Sequence, residues 1–384
     1  MTALDSIDKL KLGNRLRIAR TAASLTQDQA AKALSMARTT LVAVEHGERA
    51  IRPVELVAFA KLYGTSANNL LRDTSVYVDL SVQFRRNLEN KCDEIALQDA
   101  SRLLHRLATR TTEIERILGK PTRMNYPAEQ VLSRTNIEQQ AEDLSLEIRS
   151  HLGLGLSPIQ DIVDLIESEM GVRVFLRGID SKIGGLFAYD QEVGACFLIN
   201  AKHPRTRRAW TTAHELGHFL TNRSGAEVCY VDGRGKSPGE RFADLFAAAF
   251  LMPGPAIRKA YNEASADNKI SLQEIILLAH RFRVSLEAMF RRLEQLRLLK
   301  AGTYDLNKNL IPGRLVREIT GYDIDEDKGA PPPRLSILAV EAFGRGLLTE
   351  GQMVDFLAID RVLVRELIDA LLSEKIENFG NNHA

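Results

Sequence analysis

Apolar residues recur at three- and four-residue steps over most of the 384 residues, which predicts a mainly helical chain. Residues 12–72 divide into five short helices that are separated by turns. The pattern at residues 76–120 predicts one much longer helix, with charges of both signs between its apolar positions. Two further amphipathic helices are predicted at 335–343 and 353–372.

The most informative pattern, H-E-x-x-H, lies in an apolar helical segment at Thr211–His218. His214 and His218 are four positions apart, so both imidazoles lie on one helix face and can reach a single metal ion. Neutral imidazole is a common zinc ligand. Glu215 would lie beside the open position of such a metal, where a carboxylate can accept a proton from water. The pattern therefore predicts a zinc site with Glu215 as the general base.

A second apolar helix is predicted from Gly239 to its stop at Pro253. Glu240 and Asp244 are four apart and share a face, which is rare on a buried helix unless the carboxylates are paired or bind metal. We predict Glu240 as the third zinc ligand and Asp244 as the acceptor for the other ring N–H of a ligand histidine. The alternative is that the histidines are ordinary core or surface residues and Glu240 is a first-turn acid.

Together these two segments resemble the ImmA/IrrE family of bacterial and phage metallopeptidases. The resemblance runs from about Asn136 to Arg297, and its most specific part is the E-x-x-A-D-x-F-A-A-x-F-L-M-P string that begins at Glu240. It includes runs at 171–174 and 197–200 that predict strands. The resemblance implies a zincin-like fold, so the expected fold class is mainly α with a small β-sheet. It also implies the roles given above to the two histidines, to Glu240 and to the general base.

The N-terminal part of the chain resembles the XRE family of helix-turn-helix repressors. The resemblance is carried by L-T-Q-x-x-x-A from Leu25 and by E-x-G-x-R from Glu45. Thr26 is the expected N-cap of the second helix. Arg20 and Glu45 fall where the family has a structural ion pair, so neither is predicted to read bases.

Four residues of this domain are predicted to meet DNA. Gln27 would contact phosphate or a base edge, while Arg38, Thr39 and Thr40 open the recognition helix and would face the major groove. Residues 1–75 hold eleven Lys and Arg against seven Asp and Glu, an excess that suits phosphate.

Two residues depart from the family pattern. Ala37 stands where a Ser or Thr N-cap is usual, and Ala43 stands where a polar reader is common. The alternative to DNA binding is a helix-turn-helix that serves only as a protein-binding or dimerising module.

The patterns divide the chain into four parts: a helix-turn-helix domain (1–75), a helical linker (76–130), a metallopeptidase domain (131–300) and a C-terminal helical module (301–384). The linker is either a spacer packed on one domain or, as we favour, an element that promotes self-association. A dimer would hold two DNA-binding heads at half-site spacing. The C-terminal part resembles the small helical module that often follows ImmA/IrrE peptidase cores, and serves partner recognition or plain packing.

Composition agrees with ordinary globular domains, at 45% hydrophobic residues and a formal charge of +1. The sequence has no run of 18 apolar residues and no apolar signal-peptide core, so neither a membrane span nor secretion is expected. Its three cysteines do not have the spacing of a disulfide framework. These features predict a cytoplasmic protein.

The sequence thus predicts a regulator that binds double-stranded DNA, dimerises, and hydrolyses a peptide bond in itself or in a partner regulator. Zn²⁺ is the expected cofactor, although Mn²⁺ or Fe²⁺ also suits two histidines and a carboxylate. The alternative is a regulator without turnover, such as an antitoxin or phage-type repressor, whose metal domain is a ligand sensor or dimer scaffold. The intact Glu215 favours catalysis, because a scaffold needs the ligands but not the base.

Overall fold

The computed structural model describes residues 8–23, 25–63, 67–71, 91–133, 135–223, 227–230, 237–265, 270–308, 319 and 333–379. Their buried apolar side chains form three clusters. One cluster lies within the N-terminal domain, and the other two lie on opposite faces of a small sheet. Residues 76–90 of the predicted long helix and the predicted loop at 323–328 lie outside the described residues.

The N-terminal domain contains the five short helices that the sequence predicts. They are α1 (Lys9–Ala22), α2 (Gln27–Ala33), α3 (Arg38–Glu45), α4 (Pro53–Leu62) and α5 (Ala67–Leu71). Leu16, Leu41 and Phe59 are fully buried between them. Thr26 caps α2 as predicted, because its hydroxyl accepts from the backbone N–H of Gln29 while the Gln29 side chain accepts from the Thr26 N–H.

The remaining elements alternate around a four-stranded sheet. The helices are, in chain order, α6 (Lys91–Leu118), α7 (Ile137–His151), α8 (Ile162–Leu165, continued by a π-helical turn at Ile166–Met170), α9 (Arg205–Thr221), α10 (Pro238–Leu251), α11 (Gly254–Ala264), α12 (Leu272–Arg281), α13 (Leu286–Gln295), α14 (Thr303–Asn307), α15 (Pro333–Gly344), α16 (Glu350–Leu357) and α17 (Arg361–Phe379). The strands are β1 (Arg173–Arg177), β2 (Ile183–Asp190), β3 (Gly194–Asn200) and β4 (Glu227–Tyr230).

The sheet has the strand order β1-β3-β2-β4. β1 runs parallel to β3, whereas β2 runs antiparallel to both β3 and β4. Phe187 of β2 lies opposite Phe197 of β3, and both rings are fully buried. The prediction of a mainly helical fold with a small sheet is confirmed.

One face of the sheet is covered by the helices that carry the H-E-x-x-H pattern and its partners. The core on this side is rich in aromatic rings, and three of them, Phe242, Phe246 and Phe250, stack along α10. Helix α9 lies between the sheet and α10. This arrangement buries α9 almost completely from Thr211 to Leu220.

The other face of the sheet is covered by α6 together with α15, α16 and α17. The apolar stripe of α6, including Leu104, Leu107 and Ile114, is buried against the sheet and these C-terminal helices. Most of the described apolar residues that suggested a self-association element are therefore covered within the chain, while Ile95 and Ile117 are exposed. Helices α16 and α17 occupy the region predicted as one helix, because Ala358 adopts a left-handed conformation (φ 50°) between them.

The irregular segment between α6 and α7 joins the two sides of the molecule. Tyr126 donates to the carbonyl of Gly171 at 3.2 Å and accepts from the N–H of Ala195 at 3.0 Å. Further along, the N–H of Gln130 donates to the carbonyl of Leu220, in the last turn of α9, at 2.8 Å. The segment thus connects the linker helix to the end of the H-E-x-x-H helix.

Candidate metal centre

Two glycines allow α9 to lie unusually close to its neighbours. A Cβ atom on Gly185 of β2 would lie 2.7 Å from the Thr211 side chain, closer than real Cβ contacts. A Cβ atom on Gly217 would lie 3.1 Å from the Cα atom of Ala243 in α10. The absence of side chains at these positions therefore fixes how near the sheet and α10 approach the two histidines.

Three side chains from α9 and α10 converge on one point. The Nε2 atoms of His214 and His218 are 3.0 Å apart, and each is 3.4 Å from a carboxylate oxygen of Glu240. Zinc binds nitrogen and oxygen at about 2.0–2.2 Å in tetrahedral sites, which separates neighbouring ligand atoms by roughly 3.3 Å. The donor set and its spacing fit a zinc ion. Within the described part of the chain, no other three His, Cys, Asp or Glu side chains gather in this way.

Asp244 lies next to His214, one of the two predicted ligand histidines. Its Oδ1 atom is 2.9 Å from Nδ1 of His214. A hydrogen bond from Nδ1–H to this carboxylate leaves the lone pair of Nε2 directed at the metal position. The side chain of Asp244 is 62% exposed. Glu240 is 20% exposed, so both carboxylates lie at the solvent-facing edge of α10.

The electrostatics of the site favour a cation between the imidazoles. Burial disfavours charge on His214, but its bonds to Asp244 and Glu240 and the nearby charge of Glu215 raise its pKa to about 10. Burial alone would raise the pKa of Glu240, yet its contacts with His214 and His218 lower that pKa to about 2. Glu215 itself is fully buried. Three carboxylates therefore surround the two histidines.

Two buried arginines hold the C-terminal end of α10, the helix that carries Glu240. Arg149 donates to the carbonyl of Phe250 at 2.5 Å. Arg292 donates to the carbonyl of Met252 at 2.9 Å and to both carboxylate oxygens of Glu142 at 2.5 and 2.9 Å. These bonds satisfy carbonyls at the end of the helix and fix its position in the core.

Sequence reasoning missed both arginines and one aromatic residue of the site. The ring of Phe187 stacks on the imidazole of His218, with centroids 6.4 Å apart and planes 13° from parallel. Arg149 and Arg292 carry a readable signal, because a cation on the apolar face of an amphipathic helix is rare unless it is paired. Phe187 carries none, since an aromatic residue in a strand is ordinary core.

The N-terminal domain presents the predicted recognition helix, α3. Ala37 is its N-cap and makes no side-chain cap bond, as its residue type implies. Arg38 and Thr39 are exposed and Thr40 is half-buried. The Arg38 guanidinium is 3.6 Å from a carboxylate oxygen of Asp28, and both side chains are largely exposed. A surface pair of this kind is weak, so Arg38 remains accessible to DNA.

The predicted ion pair between Arg20 and Glu45 is present at 2.6 and 3.1 Å. Glu45 also accepts from the side-chain amide of Gln27 at 3.0 Å. The amide of Gln27 is therefore directed into the domain as well as lying at the start of α2. Its proposed contact with DNA would use the remaining amide groups.

Comparison with known protein families agrees with both halves of this description. Residues 11–72 match a family model described as a helix-turn-helix domain. Residues 167–294 match a peptidase family model described as an IrrE N-terminal-like domain. No curated protein matches the chain.

The fold and the matches define a protein with a DNA-binding helix-turn-helix domain and a metallopeptidase-like domain. More specifically, the chain is a helix-turn-helix domain fused to an ImmA/IrrE domain. None of the helices among the described residues is long and apolar enough to cross a membrane.

Proposed function

We propose that this chain is a DNA-binding regulator whose ImmA/IrrE domain is a zinc-dependent endopeptidase. The observation that carries the proposal is the convergence of His214, His218 and Glu240 around one point, with Glu215 buried next to His214. The substrate is a peptide bond of the chain itself or of a partner regulator. The roles of these residues, and of Asp244 in orienting His214, are part of the proposal.

The chemistry divides between the ion and the chain. Zinc held by the three ligands would act as a Lewis acid toward water and the peptide carbonyl. Glu215 takes a proton from the attacking water as the water oxygen forms a bond to the carbonyl carbon of the peptide. It then delivers that proton to the leaving nitrogen as the C–N bond breaks, so the products are a carboxylate and an amine. Asp244 holds the His214 ring in one orientation throughout.

Two variants of one helix test the proposal. The wild-type chain and Glu215→Gln are each incubated with Zn²⁺ or Mn²⁺, alone and with repressors encoded by neighbouring genes. Cleavage by the wild type only, with equal metal content in both proteins, is the expected result. His214→Ala and Glu240→Ala should lose both metal and cleavage. If the wild type binds metal but cuts neither itself nor any such repressor, the domain is a sensor or scaffold without turnover.

The DNA-binding part of the proposal assigns base or phosphate contact to Arg38, Thr39, Thr40 and Gln27. A homodimer would place two copies of α3 at half-site spacing, so the operator should be a pseudo-palindrome. Light scattering of the full chain, with and without operator DNA, measures whether the chain is a monomer or a dimer. A protein that stays monomeric on DNA would contradict the dimer.

A further inference from the structure

The two histidines of the candidate metal centre are supported in different ways. Nδ1 of His214 lies 2.9 Å from Oδ1 of Asp244, and this contact sets the orientation of the His214 ring. In the part of the chain that the structure describes, no carboxylate contacts Nδ1 of His218. The His218 side chain is nevertheless only 4% exposed, and its Nε2 atom faces the same point as that of His214. The orientation of the His218 ring therefore depends on the residues packed around it.

The aromatic ring of Phe187, in β2, lies beside the imidazole ring of His218. The two ring centroids are 6.4 Å apart, and the ring planes are 13° from parallel. Aromatic rings attract each other at centroid separations of about 4.5–7 Å, in offset or edge-to-face arrangements. Phe187 is fully buried, so this contact lies inside the core.

Two further aromatic rings hold Phe187 in place. Its ring centroid lies 5.9 Å from that of Phe197 in β3 and 6.3 Å from that of Phe219 in α9, with the planes tilted by 64° and 77°. Both of these rings are also fully buried. Side chains in protein cores pack as densely as molecules in organic crystals. The Phe187 ring therefore has little room to move away from His218.

The close approach of β2 to α9 brings the Phe187 ring to His218. Gly185 and Phe187 are two positions apart and share one face of β2. Thr211 and His218 are seven positions apart, about two helical turns, and share one face of α9. A Cβ atom on Gly185 would lie 2.7 Å from the Thr211 side chain, so the strand and the helix approach as closely as a glycine allows. The next residue on the same face of β2 is Phe187.

We infer that Phe187 is a positioning residue of the metal centre, because its ring holds the His218 imidazole with Nε2 directed at the metal position. Rotation of the imidazole about its Cβ–Cγ bond would turn the edge of that ring toward the Phe187 ring, which has little room to move. The contact thus does for His218 what the bond to Asp244 does for His214. The inference rests on the metal site of the proposed function and adds a residue that supports it.

The test uses Co²⁺ as a probe of the ligand geometry in the full chain. Zn²⁺ has no d–d absorption because its d shell is full, whereas Co²⁺ on the same ligands absorbs visible light, more strongly in tetrahedral than in octahedral geometry. The chain is titrated with Co²⁺ and its visible spectrum is recorded. Zinc affinity is measured by competition with a chelating dye.

The variant Phe187→Leu removes the planar ring beside His218. Phe175→Leu is the matched control, because Phe175 is a buried aromatic residue of the same sheet that belongs to the core on the opposite face. Phe187→Met is a second variant without a planar ring, and its flexible side chain adapts to irregular gaps in a core. It replaces Phe187→Leu if that variant does not fold.

Phe187→Leu and Phe187→Met should each bind zinc about 10-fold more weakly than the wild type, and their cobalt bands should change in intensity or position. Phe175→Leu should keep the wild-type zinc affinity and cobalt spectrum, although the loss of a buried ring should lower its urea midpoint as well.

Wild-type zinc affinity and cobalt spectra in both Phe187 variants would overturn the inference and leave the metal site intact. Equal changes in Phe187→Leu and Phe175→Leu would also overturn it, because they would reflect a general loosening of the core. A wild-type chain that binds neither zinc nor cobalt would instead refute the metal site of the proposed function, and the inference with it.

Discussion

His214 is held through both of its ring nitrogens. Nδ1 faces Asp244 at 2.9 Å, and Nε2 faces the point shared with His218 and Glu240. The ring therefore cannot rotate without giving up one of these contacts. A carboxylate beside a ligand histidine also makes its ring a stronger donor to metal.

Asp244→Ala should weaken zinc affinity or activity about 10–100-fold, the usual effect of losing such a partner. Asp244→Asn is the matched variant, since its amide oxygen can still accept from Nδ1–H, and it should lose less. Competition with a chelating dye measures both affinities. Equal affinities of wild type and Asp244→Ala would show that Asp244 does not orient the ring.

Arg38→Ala should cost about 1–3 kcal/mol of binding to the operator if the guanidinium reads a base edge. The operator is first recovered from random DNA by selection with the wild-type chain. Lys61→Ala removes an exposed cation from α4 and serves as a control. A loss for Arg38→Ala that is the same on operator and on mixed-sequence DNA would mean that Arg38 contacts only phosphate.

At this scale the sequence predicted the side chains whose chemistry depends on spacing. His214, His218, Glu240 and Asp244 lie at intervals of four on two helices, so their shared faces could be read directly. Phe187 reaches His218 from a strand, and that contact depends on how the sheet packs on α9. The spacing of apolar residues within one element does not indicate where another element packs against it.

Between elements, α9 and α10 approach each other closely at Gly217. The space left by the missing side chain brings the helix with the histidines to the helix with Glu240. A change at this contact should therefore alter both the stability of the fold and the geometry of the ligands.

Gly217→Val should destabilise the fold by about 1–3 kcal/mol, because the new side chain must push α10 away. It should also weaken zinc binding, since Glu240 moves with α10. Gly351→Val adds the same side chain to a helix at a position with no atom within 4 Å, and should have little effect on either quantity. Urea unfolding and zinc titration test the pair, and unchanged zinc affinity in Gly217→Val would contradict the coupling.

Helix ends were harder to predict than helix identity. The region 353–372 reads as one amphipathic helix, but Ala358 is left-handed and the chain restarts at Arg361. Arg177, from β1, donates to the carbonyl of Leu357 at 3.0 Å and so stabilises the end of α16. A bond from a distant strand cannot be read from local periodicity. Asp360, which accepts from the N–H of Leu363 at 2.9 Å, is the one local sign of the restart.

Across the whole molecule, the linker helix and the C-terminal helices form one layer over the back of the sheet. Glu115 of α6 connects parts of that layer with each other and with strand β1 of the sheet. It pairs with Arg173 of β1 at 2.6 Å and with Arg334 of α15 at 3.3 Å, and it accepts from Thr122. The pattern of apolar residues divided these regions into a linker and a C-terminal module. Their contact joins residues that are far apart in the sequence, so the local pattern could not indicate it.

Arg173→Met should destabilise the chain by about 3–5 kcal/mol, because it leaves the carboxylate of Glu115 buried without its closest cation. Glu115→Leu/Arg173→Met removes both charges and should recover part of that loss. Arg102→Met breaks an exposed pair with Asp99 on the same helix and should cost no more than about 1 kcal/mol. Urea unfolding measures the free energy of unfolding of all three variants. A double variant that is less stable than Arg173→Met would contradict the argument.

The layer formed by α6 and α15 also sets an order of events during translation. The end of α6 at Leu118 precedes the start of α15 at Pro333 by 215 residues. At a translation rate of about 5–20 residues per second, the helices that cover α6 are synthesised roughly 10–40 s after α6 itself. Among the described residues, the N-terminal core is formed entirely within residues 12–71. The nascent chain on the ribosome therefore has a folded helix-turn-helix domain while the apolar residues of α6 are still uncovered. A chaperone would be needed most during this interval.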